Sequence, residues 1–127
     1  MTRYLLDTNA IVIAFSGSVR LTEKARRAIE DRTAERLISA ASVYEIAWKH
    51  RLGKLDFTPG MIRAGVRASG LVMRAATDSV MEAAATLGWD HRDPFDRIIA
   101  AQAVHDGAML ISSDGAFAAL DGLDRIW

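Results

Sequence analysis

At 127 residues, with no cysteine and with sixteen Lys and Arg balanced by sixteen Asp and Glu, the chain rules out several classes of function from the start. A disulfide framework, a thiol nucleophile and a cysteine-ligated zinc are all impossible, and zero net charge leaves any nucleic-acid contact to a local basic patch. Half of the residues are hydrophobic, so residues 1–127 are expected to form one domain that buries roughly two-thirds of the surface its unfolded chain exposes. No stretch approaches the roughly 20 uninterrupted apolar residues of a membrane-spanning helix. The apolar run from Tyr4 to Phe15 is broken by Asp7 and Asn9, which argues against a targeting segment. The expectation is a soluble, cytoplasmic protein.

The first element is a short apolar strand, Tyr4-Leu5-Leu6, ending on Asp7-Thr8-Asn9. A helix from Ala10 to about Phe15 should follow, capped by Thr8 or Asn9 and stopped by Ser16-Gly17-Ser18. Thr22 begins a second helix through Ala25, Ala28 and Ile29, with Glu23/Arg27 and Arg26/Glu30 at the i,i+4 spacing of a solvated face. Arg36 to Ala40 reads as the second strand, and Ser42 as the start of a helix that stops at Gly53. Pro59 opens a helix to Ala68 with Gly70 as its stop. Leu71 to Ala75 is a third strand, and Thr77 or Asp78 caps a helix that Gly88 closes. After the polar loop Trp89-Asp90-His91-Arg92, Asp93 as N-cap and Pro94 at the first helical position mark a helix through Val104. Ala108 to Ile111 is a fourth strand, Ser112-Ser113-Asp114-Gly115 turns into a short helix near Phe117, and Arg125-Ile126-Trp127 is a candidate last strand. Short apolar runs alternating with helical patterns predict an α/β fold around a central parallel sheet of four to five strands.

Carboxylates recur at comparable places in this alternation: Asp7 after the first strand, Glu45 in the first turn of the helix after the second, Asp96 in the first turn of its helix, and Asp114 after the fourth strand. Each alone has a structural explanation. Ser42-Val43-Tyr44-Glu45 fits a capping box, Asp93 and Asp96 fit the same pattern, and Asp114 suits a cap. Together they point elsewhere, because a parallel sheet opens all these positions toward one edge. Converging carboxylates repel and raise one another's pKa, and the usual relief is a hard divalent cation such as Mg²⁺ or Mn²⁺. The histidines, His50, His91 and His105, lack an i,i+4 metal spacing, which makes zinc a poor fit. Such a site suits phosphoryl chemistry. Lys49, His50, Arg51 and Lys54 follow Glu45, and Arg92 and Arg97 flank Asp93 to Asp96; they are candidates for a nucleic-acid backbone or simply partners of helix ends.

The blocks Leu5-Leu6-Asp7-Thr8-Asn9, Ser42-Val43-Tyr44-Glu45-Ile46-Ala47-Trp48-Lys49 with Gly53-Lys54-Leu55, His91-Arg92-Asp93-Pro94-Phe95-Asp96-Arg97-Ile98-Ile99-Ala100-Ala101-Gln102-Ala103, and Leu110-Ile111-Ser112-Ser113-Asp114 appear in that order. In this the chain resembles the PIN-domain nucleases, and more narrowly the VapC-type toxins of toxin–antitoxin systems. The resemblance implies a PIN-like three-layer α/β/α sandwich with a five-stranded parallel sheet. It implies that Asp7, Glu45, Asp96 and Asp114 bind Mg²⁺ or Mn²⁺, with Asn9 and Ser112 in supporting places and Asp93 either an outer ligand or, as favoured, the N-cap. It further implies an endoribonuclease, a homodimer and a cognate antitoxin. Trp48, Leu52, Leu55 and Phe57 are interface candidates, with core the commoner fate of such residues.

Two other readings stand beside it. A phosphatase or phosphotransfer domain would use Asp7 as a covalent nucleophile, but such sites commonly carry a second acid two residues on, where this chain has Asn9, and a lysine that Ser112-Ser113-Asp114 lacks. A non-catalytic module whose whole role is to bind an antitoxin is the other.

Overall fold

The computed structural model describes residues 1–127. In chain order the elements are β1 (Arg3–Leu6), α1 (Thr8–Phe15), α2 (Glu23–Glu30), β2 (Glu35–Ser39), α3 (Ala40–Arg51), α4 (Pro59–Ser69), β3 (Val72–Arg74), α5 (Asp78–Thr86), α6 (Pro94–His105), β4 (Met109–Ile111), a 3₁₀ turn (Gly115–Ala119) and β5 (Arg125–Ile126). The five strands form one sheet in the order β3-β2-β1-β4-β5, and every pairing is parallel. The expected α/β/α sandwich around a parallel sheet is therefore present.

The register explains why both faces are covered. Leu5 lies beside Leu37 and Leu110, and Leu6 beside Ile38 and Ile111. Because side chains alternate across a strand, the first trio points into a core with Ile99, Ala103 and Phe117. The second trio packs with Ile11, Ala28, Ile46 and Ile62 on the opposite side. All six strand residues are fully buried, as expected of a parallel sheet with helices on both faces.

Two junctions differ from the sequence reading. Helix α1 starts at Thr8, not Ala10, and its cap is Asp7, whose side chain accepts from the Ala10 N–H. Helix α3 starts at Ala40 and is capped by Ser39, not Ser42. No loop separates β2 from α3, because the buried Ser39 hydroxyl accepts from the Ala41 N–H and donates to Oε1 of Gln102 at 2.5 Å. Ser42 sits inside the helix, its hydroxyl accepting from Thr8 at 3.0 Å. Glu45 consequently lies in the second turn, and the capping-box explanation for it is withdrawn. Gly70 closes α4 at φ 70°, in the left-handed region that favours glycine. No helix is long and apolar enough to cross a membrane.

Candidate metal centre

Strand β1 pairs with both β2 and β4. The chain runs outward from β1 to β2 and β3, then returns across the sheet to β4 and β5. The order thus reverses between β1 and β4, and a parallel sheet offers a ligand crevice at the carboxyl ends of its strands at such a point. Asp7 follows β1, while Ser112 and Asp114 follow β4. Helix α3 leaves β2 directly with Glu45, and α6 brings Asp96 to the same end. These four acids and Asp93 line one pocket of about 270 Å³, with Asn9 and Lys49 on its wall.

Each carboxylate is held differently. Asp7 is 4% exposed; one oxygen accepts from Ala10 N–H at 2.7 Å and the other from the Ser112 hydroxyl. Burial pushes its pKa from the ordinary 3.8 to about 6, the charges of Asp96 and Asp114 add to the rise, and the Ser112 and Ala10 bonds oppose it. The Ser112 hydroxyl also accepts from the Asp114 N–H at 3.0 Å, so one buried side chain joins the ends of β1 and β4. Glu45 is 4% exposed. Its Oε2 accepts from Lys49 at 2.6 Å, whereas Oε1 is buried without any hydrogen-bond partner. Asp96 receives a hydrogen bond from His91 at 2.7 Å; burial raises its pKa, the His91 bond opposes, and the Asp93 and Glu45 charges add. Asp114 caps the 3₁₀ turn through Ala116. Asp93 accepts from the Phe95 and Asp96 N–H groups at 2.9 and 3.1 Å, the N-cap role that was favoured.

The basic candidates separate. Lys49 is tied to Glu45, and Arg51, Lys54 and Arg92 are exposed. Arg97 is corrected to a structural role: its guanidinium donates to the carbonyls of Ala84, Leu87, Trp89 and His91 at 2.7 to 3.0 Å, leaving no free edge for a phosphate. Of the interface candidates, Trp48 and Leu52 are exposed but Phe57 is in the core. His91 was set aside for lacking helical metal spacing, yet its ring nitrogen and carboxylate oxygens of Asp96 and Asp114 lie within 4.8 Å of one another. Its place in the loop just ahead of the Asp93 cap was the available signal.

The donor set suits a hard divalent cation. All the pocket's candidate donors among the acids and Asn9 are oxygens, apart from the Asn9 amide nitrogen. No arginine pairs with any of the four acids. The orphaned Glu45 Oε1 is a buried acceptor that a cation would satisfy, in a protein interior where such an atom costs about 1–3 kcal/mol when left alone.

Comparison with known proteins follows the same line. The family model of the PIN domain matches residues 4–123. Among solved structures, the chain is similar to VapBC2 from Rickettsia felis bound to a DNA fragment from their promoter, at 16% identity and TM-score 0.71, covering 98% of each chain. It is similar to DNA-bound VapBC from Salmonella typhimurium, at 18% identity and TM-score 0.72, covering 99% of this chain and 98% of that one. It is also similar to PAE2754 from Pyrobaculum aerophilum, at 20% identity and TM-score 0.56, covering 98% and 83%. At these identities the likeness is one of fold. The comparison with curated proteins produced no match.

Proposed function

This chain belongs to the PIN-domain family, and from that premise we propose that it is a Mg²⁺- or Mn²⁺-dependent endoribonuclease acting as the toxin of a toxin–antitoxin pair. The observation that carries the reading is the pocket itself, with Asp7, Glu45, Asp96 and Asp114 lining one crevice at the strand-order reversal and a buried Glu45 oxygen left without a partner.

Asp7, Asp96 and Glu45 would hold the ion directly or through water, and Asp114 would complete the pocket. A bound Mg²⁺ or Mn²⁺ supplies a water of lowered pKa and stabilises the departing oxygen of a phosphodiester. The protein's part is to keep the acids in place. Ser112 and the Ala10 N–H orient Asp7, and the Lys49 ammonium holds Oε2 of Glu45 so that Oε1 remains for the pocket. An empty acidic pocket repels a polyanion, so the exposed Arg51, Lys54 and Arg92 are the side chains proposed to hold the RNA backbone. Asn9 stands where a phosphotransfer site commonly carries its second acid, and Ser112-Ser113-Asp114 offers no lysine, which weighs against Asp7 as a covalent nucleophile.

The antitoxin partner is supported by the VapBC assemblies among the similar folds. The homodimer is supported by Tyr44 and Trp48 on α3 and Leu52 at its C-cap, spaced i, i+4 and i+8 and exposed by 62%, 45% and 47%. The test is cleavage of total RNA with and without Mn²⁺. The wild type is expected to cut only with metal, and Asp7→Asn to lose at least about a hundredfold while remaining folded. Undiminished metal-dependent cutting by that variant removes Asp7 from the mechanism.

A further inference from the structure

We propose that His91 is a positioning residue of the metal centre, donating from Nε2 to Oδ2 of Asp96 so that Oδ1 is the oxygen left for the cation. The inference rests on the metal-dependent reading above and adds a residue to that same site. The contact is 2.7 Å long and partly buried, and the donor tautomer is assigned from the bond itself, because an ionised carboxylate only accepts.

What makes the contact more than a chance surface pair is how the ring is held. The imidazole stacks on Trp89 with centroids 4.6 Å apart at 27°, and Trp89 in turn leans on the buried Phe117 at 5.4 Å. The loop backbone is drawn in by Arg97, which donates to the carbonyls of Trp89 and His91 at 2.7 and 3.0 Å. Arg97 is the residue after Asp96 on α6. The carboxylate, the imidazole that grips it and the guanidinium that grips the imidazole's backbone therefore form a closed bracket on one helix turn. A group that orients a metal ligand in this way typically contributes 10–100-fold to metal affinity.

The test is Mn²⁺ titration calorimetry on the wild type, His91→Phe and His91→Gln, with metal-free thermal midpoints as the control for folding. His91→Phe keeps the stack on Trp89 and removes the donor; it is expected to bind Mn²⁺ about 10–100-fold more weakly with a midpoint close to the wild type's. His91→Gln restores a donor of similar reach and is expected to regain most of that affinity. Should His91→Phe not fold, His91→Asn, which is too short to reach Asp96, takes its place against His91→Gln. Pulsed electron paramagnetic resonance of the Mn²⁺-loaded wild type is expected to show no strong nitrogen coupling. Wild-type affinity in the donor-less variant overturns the proposal. Strong nitrogen coupling also overturns it, because it makes His91 a direct ligand. Absence of Mn²⁺ binding in the wild type is a different result, and takes down the metal-dependent reading itself together with this one.

Discussion

Asp7 carries the largest conflict between stability and role. Its carboxylate ends the central strand, caps α1 and is 4% exposed, and burial beside Asp96 and Asp114 raises its pKa to about 6. A folded-state pKa above the unfolded 3.8 means that the folded protein holds the proton over a pH window where the unfolded chain has released it. The stabilising effect of that proton is fully present below 3.8 and is lost as pH rises from there through about 6, the reverse of a salt-bridged carboxylate. A shift from 3.8 to about 6 corresponds to on the order of 3 kcal/mol. In chelator, Asp7→Asn, which keeps the cap, is expected to be more stable than the wild type at pH 8. That advantage should fade as both are brought toward pH 4. Thermal midpoints across pH measure it, and equal midpoints at pH 8 would show that the charge is not strained. Adding Mn²⁺ should raise the wild-type midpoint and leave that of Asp7→Asn nearly unmoved.

At the scale of elements, α6 and the loop before it act as one piece. Arg97 collects carbonyls from the end of α5 and from the 87–91 loop, groups that no helix or strand bond satisfies. Hydrogen bonds to a charged group contribute about 1.5–3 kcal/mol each and do not add fully. Arg97→Ala is therefore expected to lose about 3–5 kcal/mol, read as a lower urea midpoint. A phosphate-binding arginine behaves oppositely, losing RNA affinity at constant stability, so the two measurements together separate the roles. The sequence already marked this helix clearly, because Asp93 and Pro94 are an N-cap and first-turn pair. It did not reveal where the guanidinium goes, since that depends on carbonyls up to 13 residues upstream being folded back onto it. The start of α3 was misplaced for a related reason. Ser39 and Ser42 are equally good caps in isolation, and Gln102, 63 residues on, selects Ser39 by accepting its hydroxyl proton.

For the whole molecule, the proposed dimer puts the stripe of Tyr44 and Trp48 on α3 and Leu52 at its C-cap against a second copy. Wild-type protein is expected at twice the chain mass of 13.9 kDa in light scattering, and Trp48→Glu at the single mass; a monomeric wild type at micromolar concentration ends that proposal. Trp48 lies one residue before the Lys49 that holds Glu45, so the same variant reports whether dimerisation and the pocket are coupled.

The α/β class, most of the elements and the residue types of the pocket follow from the chain alone. Local chemistry determines them: short continuous apolar runs make parallel strands buried on both faces, Asp93-Pro94 starts a helix, and oxygen donors without cysteine select a hard cation. Only the folded structure decided that β1 lies between β2 and β4 and that Ser112 joins Asp7 to Asp114. The same holds for the lone Glu45 oxygen, for the contact of His91 with Asp96 and for the carbonyls to which Arg97 donates. The reason is that each of these depends on groups brought together by the sheet across tens of residues, and spacing along a chain carries no information about which distant carbonyl, hydroxyl or ring will arrive beside it.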